Sequence, residues 1–448
     1  MTLFPTARLA MLAFCATGLA VATGAPSSFT LAQLQNPDEQ TLQELAVAIE
    51  TIGLLSITDW EAHTPSGTTT APPFYGALSD YVACARGPML NSASSNTLRR
   101  IEMEDGTARH TVATATVGGT LMPLPEEVTV ACPKFAAASS DLREAVDAVG
   151  LAYTQVLDTL VYNGSPPSAA SSFVTAAQQA ESLEHFHMFV QEENTASRHN
   201  SAMLPLHTDI GLFLVMTVAE YIDLPTGDRL AGSYRLHGSG LVVEHAPGQR
   251  AAPALPEGAL VIMHGEAATR WMEAGAVKPK APLHEVVSLD ISGAARAWFG
   301  RMYFPLADAK LHLQDGELLD DAIHNAVDAG GLTFGAYHQH ASEAFRRGLG
   351  HSASAAGCSP SAVSRHLGAA RELADAASCK AAGKFFCWMS CQAIPKKARC
   401  AWSKMRCRNP KNGKFWPANY IDKKTKKPGH CYDCIVQCPK PGGGWSGV

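Results

Sequence analysis

Long apolar runs are nearly missing from this 448-residue chain: past residue 25 nothing approaches the roughly 20 uncharged apolar residues that a spanning helix needs. That excludes a polytopic helical membrane protein and predicts a soluble one. Cysteine is scarce across the first 350 residues, where Cys15, Cys84 and Cys132 stand alone. Acidic residues are the shortage at the other end. Residues 379–448 hold 15 Lys and Arg against Asp422 and Asp433, a charge near +13, while the rest of the chain carries 21 basic and 39 acidic residues, near −18. The mild net charge of −5 therefore hides an acidic body and a basic tail. Large aliphatic side chains are also few in that tail, which excludes a 70-residue fold held by its own core.

What the tail does have is cysteine. Cys379, Cys387, Cys391, Cys400, Cys407, Cys431, Cys434 and Cys438 crowd into it. His430 beside Cys431 and Cys434 offers a zinc alternative, but this density favours four disulfides made in an oxidising compartment. Cys84 and Cys132 are expected to bridge, and Cys358 is the odd thiol. The N-terminus points the same way. Arg8, an apolar run from Leu9 to Ala22 and small residues up to Ala25 read as a cleaved signal peptide over residues 1–25. The expected location is thus the lumen of the secretory pathway or the extracellular space. Asn163-Gly164-Ser165 is a formal glycosylation sequon, weakened by the Pro that follows.

Periodicity divides what remains. Leu42, Leu45, Ala46, Ile49 and Ile52 keep helical spacing up to Gly53, and Ser140 to Tyr162 is helical again. Short strands are expected between them at 111–117 and 128–131. Residues 26–180 are expected to form a mixed α/β N-terminal domain. From 181 to 310 short apolar runs recur between Gly and Pro: 183–189, 212–218, 241–245, 260–264, 286–289 and 298–304. Many short strands of this kind suit a jelly-roll barrel. A helical extension (311–349), an Ala/Ser-rich linker (350–378) with a helix at 370–377, and the cysteine-rich basic domain (379–448) complete the α+β reading.

Within the barrel region, His207-Thr208-Asp209-Ile210-Gly211 runs straight into the apolar Leu212–Met216. Downstream come Pro256-Glu257-Gly258-Ala259-Leu260-Val261-Ile262-Met263-His264-Gly265-Glu266, then His284-Glu285-Val286, then Arg296 opening a strand that ends in Phe304-Pro305. Near the front, Leu45 to Ile57 gives a helix followed by a Gly-led strand. This ordered set resembles the Fe(II)/2-oxoglutarate dioxygenases of the isopenicillin N synthase-like superfamily, over about residues 28–310. The resemblance implies a double-stranded β-helix core, with Fe(II) held by His207, Asp209 and His284. It also implies 2-oxoglutarate held at its distal carboxylate by Arg296, and O₂ as the oxidant. Two imidazoles and a carboxylate suit such iron because they fill one face of its octahedron and leave the other open. A guanidinium suits the oxoacid because it is always charged and forked.

One position departs from the pattern. Trp298 stands where the family usually has Ser, two residues after the Arg, which leaves open an oxidase that uses the same iron without an oxoacid. Arg301 is a lesser candidate for the carboxylate. His185, His187 and His264 could face the pocket or simply pack, while Trp271 reads as core and Gly265 as a tight turn. The substrate is expected to be a small molecule, a peptide or a glycan. The tail, with Lys423-Lys424-Thr425-Lys426-Lys427 and Trp388, Trp402, Trp416 and Trp445, suits an anionic polysaccharide better than a nucleic acid. A catalytically silent secreted binding protein acting through that tail is the remaining alternative.

Overall fold

The computed structural model describes residues 26–63, 74–87, 97–102, 107–191, 202–230, 240–246, 248–287, 293–312 and 332–339, with short strand segments between 358 and 447. Two compact units are present, Met1–Val363 and Ser364–Val448. In the second, backbone pairing joins Phe385–Cys387 to Ser390–Gln392, and Lys404–Arg408 to Cys434–Pro439. The leader, the helix expected at 370–377, most of the extension and the pairing of the tail cysteines lie outside the described residues.

The first unit is built on two sheets, antiparallel except for the parallel pair β1–β2. Its strands are β1 (Ser27–Thr30), β2 (Leu54–Thr58), β3 (Leu98–Glu102), β4 (Thr107–Val117), β5 (Thr120–Leu121), β6 (Ser182–Gln191) and β7 (Ala202–Asp209). There follow β8 (Phe213–Thr217), β9 (Glu220–Asp223), β10 (Leu241–Ala246), β11 (Gln249–Ala251), β12 (Leu260–His264), β13 (His284–Val287) and β14 (Ala294–Tyr303). The larger sheet runs β1-β2-β12-β8-β14-β6-β4-β3, and the smaller runs β11-β10-β13-β7 with Cys358–Ser359 at its edge. From β6 onward the chain passes back and forth between the sheets, with β6, β8, β9, β12 and β14 in the larger and β7, β10, β11 and β13 in the smaller, which is consistent with a jelly roll. Strands β1 to β4, from the stretch expected as the N-terminal domain, extend the same large sheet and share its core.

Local chemistry explains the helices. Asp38 caps Glu39–Thr51 by accepting from the Thr41 amide at 2.7 Å. Gly53 ends the turn at φ +72°, and a Cβ there would overlap the Lys280 carbonyl, so this position requires glycine. Residues 128–131, expected as strand, are helical within Glu126–Ala131. Glu126 and Glu127 in the first turn favour a helix start, and four residues are too few to carry a period of their own. The long helix begins at Pro133, seven residues before its expected start, with Pro in the first turn where a missing N–H costs nothing. It runs 30 residues to Tyr162 and stops at Asn163 in the left-handed conformation. Cys84 and Cys132 form a disulfide between the helix Tyr75–Ala85 and the start of this long helix.

That helix covers the outer face of the large sheet. Tyr153 meets Phe213 edge-on at 5.2 Å, and Gly150 lies so close to the Tyr303 ring that a Cβ would collide with it. Beneath the helix sits a buried charge cluster. Arg301, fully buried, donates to Glu184 Oε1 at 2.5 Å and pairs with Asp147, while Arg143 holds Glu184 Oε2 at 2.6 Å. Thr114 adds a hydroxyl donor to the same carboxylate at 2.9 Å.

Candidate metal centre

The opposite, inner face of the large sheet lines a cavity closed on its far side by the small sheet. Strand alternation determines what it presents. On β14, Arg296, Trp298, Gly300 and Met302 line the cavity, whereas Arg301 points into the helix-side cluster. Arg301 is therefore corrected: two carboxylates already hold it, on the wrong face to meet a ligand.

His207 and Asp209 close β7, and His284 opens β13 directly across from His207 in the antiparallel ladder. The pairing brings the two imidazole rings to 4.3 Å. His207 Nε2 and His284 Nε2 lie 3.9 and 3.8 Å from Asp209 Oδ1, and one ligand atom from each residue falls within 4.8 Å of the others. All three are buried. Donor spacing of this size fits a single ion at ordinary ligand distances of about 2.0–2.2 Å. The His284 Nδ1 lies 3.1 Å from the Pro282 carbonyl. A carbonyl only accepts, so Nδ1 carries the proton and Nε2 offers its lone pair toward Asp209. Burial holds the His284 pKa down to about 4, which keeps that lone pair available at neutral pH. Residue types, spacing and tautomer thus all suit a divalent metal.

A backbone clamp fixes the ligand strand from behind. The Glu266 amide donates to the Asp209 carbonyl at 2.8 Å, and the Ala267 amide to Gly211 at 3.0 Å. A Cβ on Gly265 would overlap Gly211 O, so the expected tight turn is in fact a close backbone approach. The Thr208 hydroxyl, between two ligands, donates to Glu266 Oε1 at 2.5 Å, and Arg270 pairs with that carboxylate at 3.3 Å. Sequence reading quoted Glu266 within its motif but gave it no role.

Arg296 is buried and lines the same cavity as the triad. Tyr221 pairs with it across β9 and β14, and its guanidinium lies 5.7 Å from the centre of the Phe189 ring. His185 and His187 line the cavity too, with ring centres 4.9 Å apart, and His187 packs on Trp298 at 4.8 Å. Trp298 thus occupies cavity wall, as its departure from the family pattern implied. Of the two roles open to His264 it takes packing: it turns away from the cavity to share a 2.5 Å hydrogen bond with Tyr153 on the long helix. Trp271 packs on Phe334 and Tyr337 as core. Arg109, on β4, also lines the cavity, and sequence reading missed it entirely.

No protein-family model matches this sequence, and no curated protein does. Solved structures similar in fold are oxygenases. A 2OG-Fe(II) oxygenase family protein of Caulobacter crescentus shares 14% identity, covers 72% of this chain and 99% of its own, and superposes with a TM-score of 0.48. A Neurospora crassa protein solved with alpha-KG and 5-formyluracil shares 13%, over 71% and 96%, with a TM-score of 0.43. The dioxygenase for auxin oxidation 1 of Arabidopsis thaliana, solved with 2-oxoglutarate, shares 14% over 66% and 98%, with a TM-score of 0.36. At such identities and TM-scores, the roles assigned to residues rest on the geometry of this chain alone.

Proposed function

We propose that this chain is an Fe(II)- and 2-oxoglutarate-dependent oxygenase that oxidises an unactivated C–H bond and releases succinate and CO₂. One observation carries the reading: a buried His-Asp-His triad and a buried arginine open onto the same largely apolar cavity. His207, Asp209 and His284 would hold the metal, whose open coordination positions supply the redox chemistry with cosubstrate and O₂. The protein's share is binding and exclusion. Arg296 offers the fork for a distal carboxylate from its place in the cavity wall. Pro282 fixes the His284 tautomer, and Leu214, Met216, Met263 and Met302 keep the cavity wall apolar.

Purified protein given Fe(II), O₂ and 2-oxoglutarate should form succinate, read by proton NMR, at one CO₂ per succinate. Metal-loaded protein that leaves 2-oxoglutarate intact overturns the proposal. Oxygen uptake without succinate would instead support the oxidase reading, which Trp298 in the cavity wall favours.

A secretory-pathway location belongs to the same proposal, supported by the leader-like residues 1–25 and the Cys84–Cys132 disulfide. The tail, 379–448, is proposed to bind anionic polysaccharide through its charge of about +13. Retention of the full chain on an acidic polysaccharide column should weaken steeply with salt, as screening shortens to about 10 Å at 0.1 M.

A further inference from the structure

Thr208 stands between two of the metal ligands, and alternation along β7 sends it to the other face of the strand. His207 and Asp209 line the cavity, whereas Thr208, also buried, turns from it and donates its hydroxyl to Glu266 Oε1 at 2.5 Å. Glu266 holds the strand a second time, its amide donating to the Asp209 carbonyl at 2.8 Å. Side chain and main chain of one residue thus grip two successive residues of the ligand strand. They do so just where β13 stops helping: its ladder with β7 reaches His207 and goes no further toward Asp209.

The grip continues outward. Arg270, at the end of the short helix Ala267–Arg270, pairs with Glu266 Oε2 at 3.3 Å, and its carbonyl accepts from the His312 amide at 2.7 Å. Trp271, next in the chain, packs on Phe334 at 5.4 Å and on Tyr337 at 4.8 Å. The two C-terminal pieces hold each other, with the Phe334 amide donating to the Ala309 carbonyl at 3.0 Å and the Leu311 amide to Leu332 at 3.3 Å. Thr208, Glu266, Arg270, Trp271 and Phe334 are all buried. Hydrogen bonds and packing therefore run without a break from the metal ligands to the chain beyond the barrel.

We infer that Thr208 and Glu266 are positioning residues of the metal centre, and that through Arg270 and Trp271 they couple it to residues 309–312 and 332–338. The inference rests on the triad holding a metal, as the oxygenase reading has it, and on nothing about the oxoacid. Neither residue would touch the ion. Their work is to fix Asp209 before the ion arrives, so that binding does not first have to order the strand. Coupling of this kind is reciprocal: whatever the C-terminal residues add to metal affinity, the metal adds to their docking.

The test is metal binding by the full chain, read by Zn(II) competition with a chelating dye and by the visible spectrum of Co(II). Thr208→Val keeps the size and removes only the hydroxyl. It should weaken Zn(II) about 10–100-fold, the range for outer-shell partners, and alter the Co(II) bands. Thr208→Ser should restore most of the affinity. Thr114→Val is the matched control, since it takes the same hydroxyl from another buried carboxylate, Glu184 on the helix side. It should lower stability yet leave Zn(II) affinity within about twofold, as expected of a distant site. Hydrogen exchange reads the coupling. Zn(II) should slow the amides of Leu311, His312 and Phe334 more than those of β3 at the edge of the large sheet, and Thr208→Val should reduce that excess. Equal Zn(II) affinity in wild type and Thr208→Val, or an equal loss in Thr114→Val, overturns the positioning role. Slowing no greater at those three amides than in β3 overturns the coupling, and this wild-type comparison needs no variant to fold. Wild-type protein that binds no Zn(II) removes the triad reading and this inference together. Protein that binds Zn(II) but not 2-oxoglutarate sinks the oxygenase proposal and leaves the positioning role to be judged by the same variants.

Discussion

Arg296 and Arg301 lie five residues apart on β14, and an odd separation sends them to opposite faces of the sheet. On the helix side, Arg301 meets Glu184 and Asp147, with Arg143 and Thr114 completing a cluster whose charges nearly balance. On the cavity side, Arg296 meets the phenol of Tyr221 and the ring of Phe189. Residue type and depth are alike, and both guanidinium groups are buried. What differs is the company. A guanidinium closed by carboxylates serves the fold, whereas one that lines the cavity beside the metal triad faces whatever enters that cavity. Two buried arginines in one strand can therefore be assigned different work without reference to any relative.

The largest effect should come from the triad on the cavity side. Asp209→Ala removes the charged ligand and should cost more than about a hundredfold in metal affinity, above the 10–100-fold typical of outer-shell partners. Metal analysis after dialysis reads this directly, and a variant that keeps one metal per chain would place the centre elsewhere. Its folding stability without metal should change little.

Arg301→Met tests the helix side, where the result should be the reverse. Glu184 would keep Arg143 at Oε2 but lose its partner at Oε1, and Asp147 would lose its cation, at a cost of up to about 3–5 kcal/mol in urea unfolding. An Arg301→Met protein of wild-type stability but weakened 2-oxoglutarate binding would erase the distinction between the two faces.

Acid sensitivity should be shared by the two faces. His185 lines the cavity and His264 faces the helix, and burial holds both down to about 3. In the unfolded chain each titrates near 6.5, so as pH falls the unfolded state takes up protons first. Stability contributed by neutral burial is complete above about 6.5 and lost progressively toward 3. At pH 5 each histidine should cost about 2 kcal/mol relative to pH 7. Denaturant midpoints of metal-free protein would show it, and His264→Gln should flatten the slope; a flat profile in the wild type would refute neutral burial.

The smallest expected effect is on Arg296→Gln. The concentration of 2-oxoglutarate for half-maximal succinate formation should rise about tenfold, the value of one charge-assisted pair, with metal content preserved. An unchanged requirement would free Arg296 for another anion and strengthen the oxidase reading.

The sequence carried much of this in legible form. The triad could be read because His207 and Asp209 sit where a strand ends and His284 where another begins, each with recognisable flanks. Most barrel strands appeared as apolar runs, and β14 was only short by four residues at its start. Register was not legible. Residues 109, 189 and 296 become a row only through pairings between distant strands, which no local period records. The same blindness hid the pairing of Arg301 with Glu184 and the turning of His264 toward Tyr153. Residues 128–131 failed for another reason: a short apolar run between a Pro and a Cys fits strand and helix equally well until its acidic flank is weighed.

Strand β2 has a bearing on how the protein is made. Leu54, Leu55 and Ile57 are fully buried, and β2 has β12 as its neighbour on one side, about 200 residues further along the chain. At ribosomal speeds of about 5–20 residues per second, β2 waits roughly 10–40 s after emergence before that partner exists. Until then its only pairing is with the four residues of β1, and its apolar edge is open to other chains. Assembly of this sheet should therefore depend on whatever shields β2 during synthesis. Heterologous yield should respond more to translation rate and chaperone supply than the stability of the finished fold would suggest.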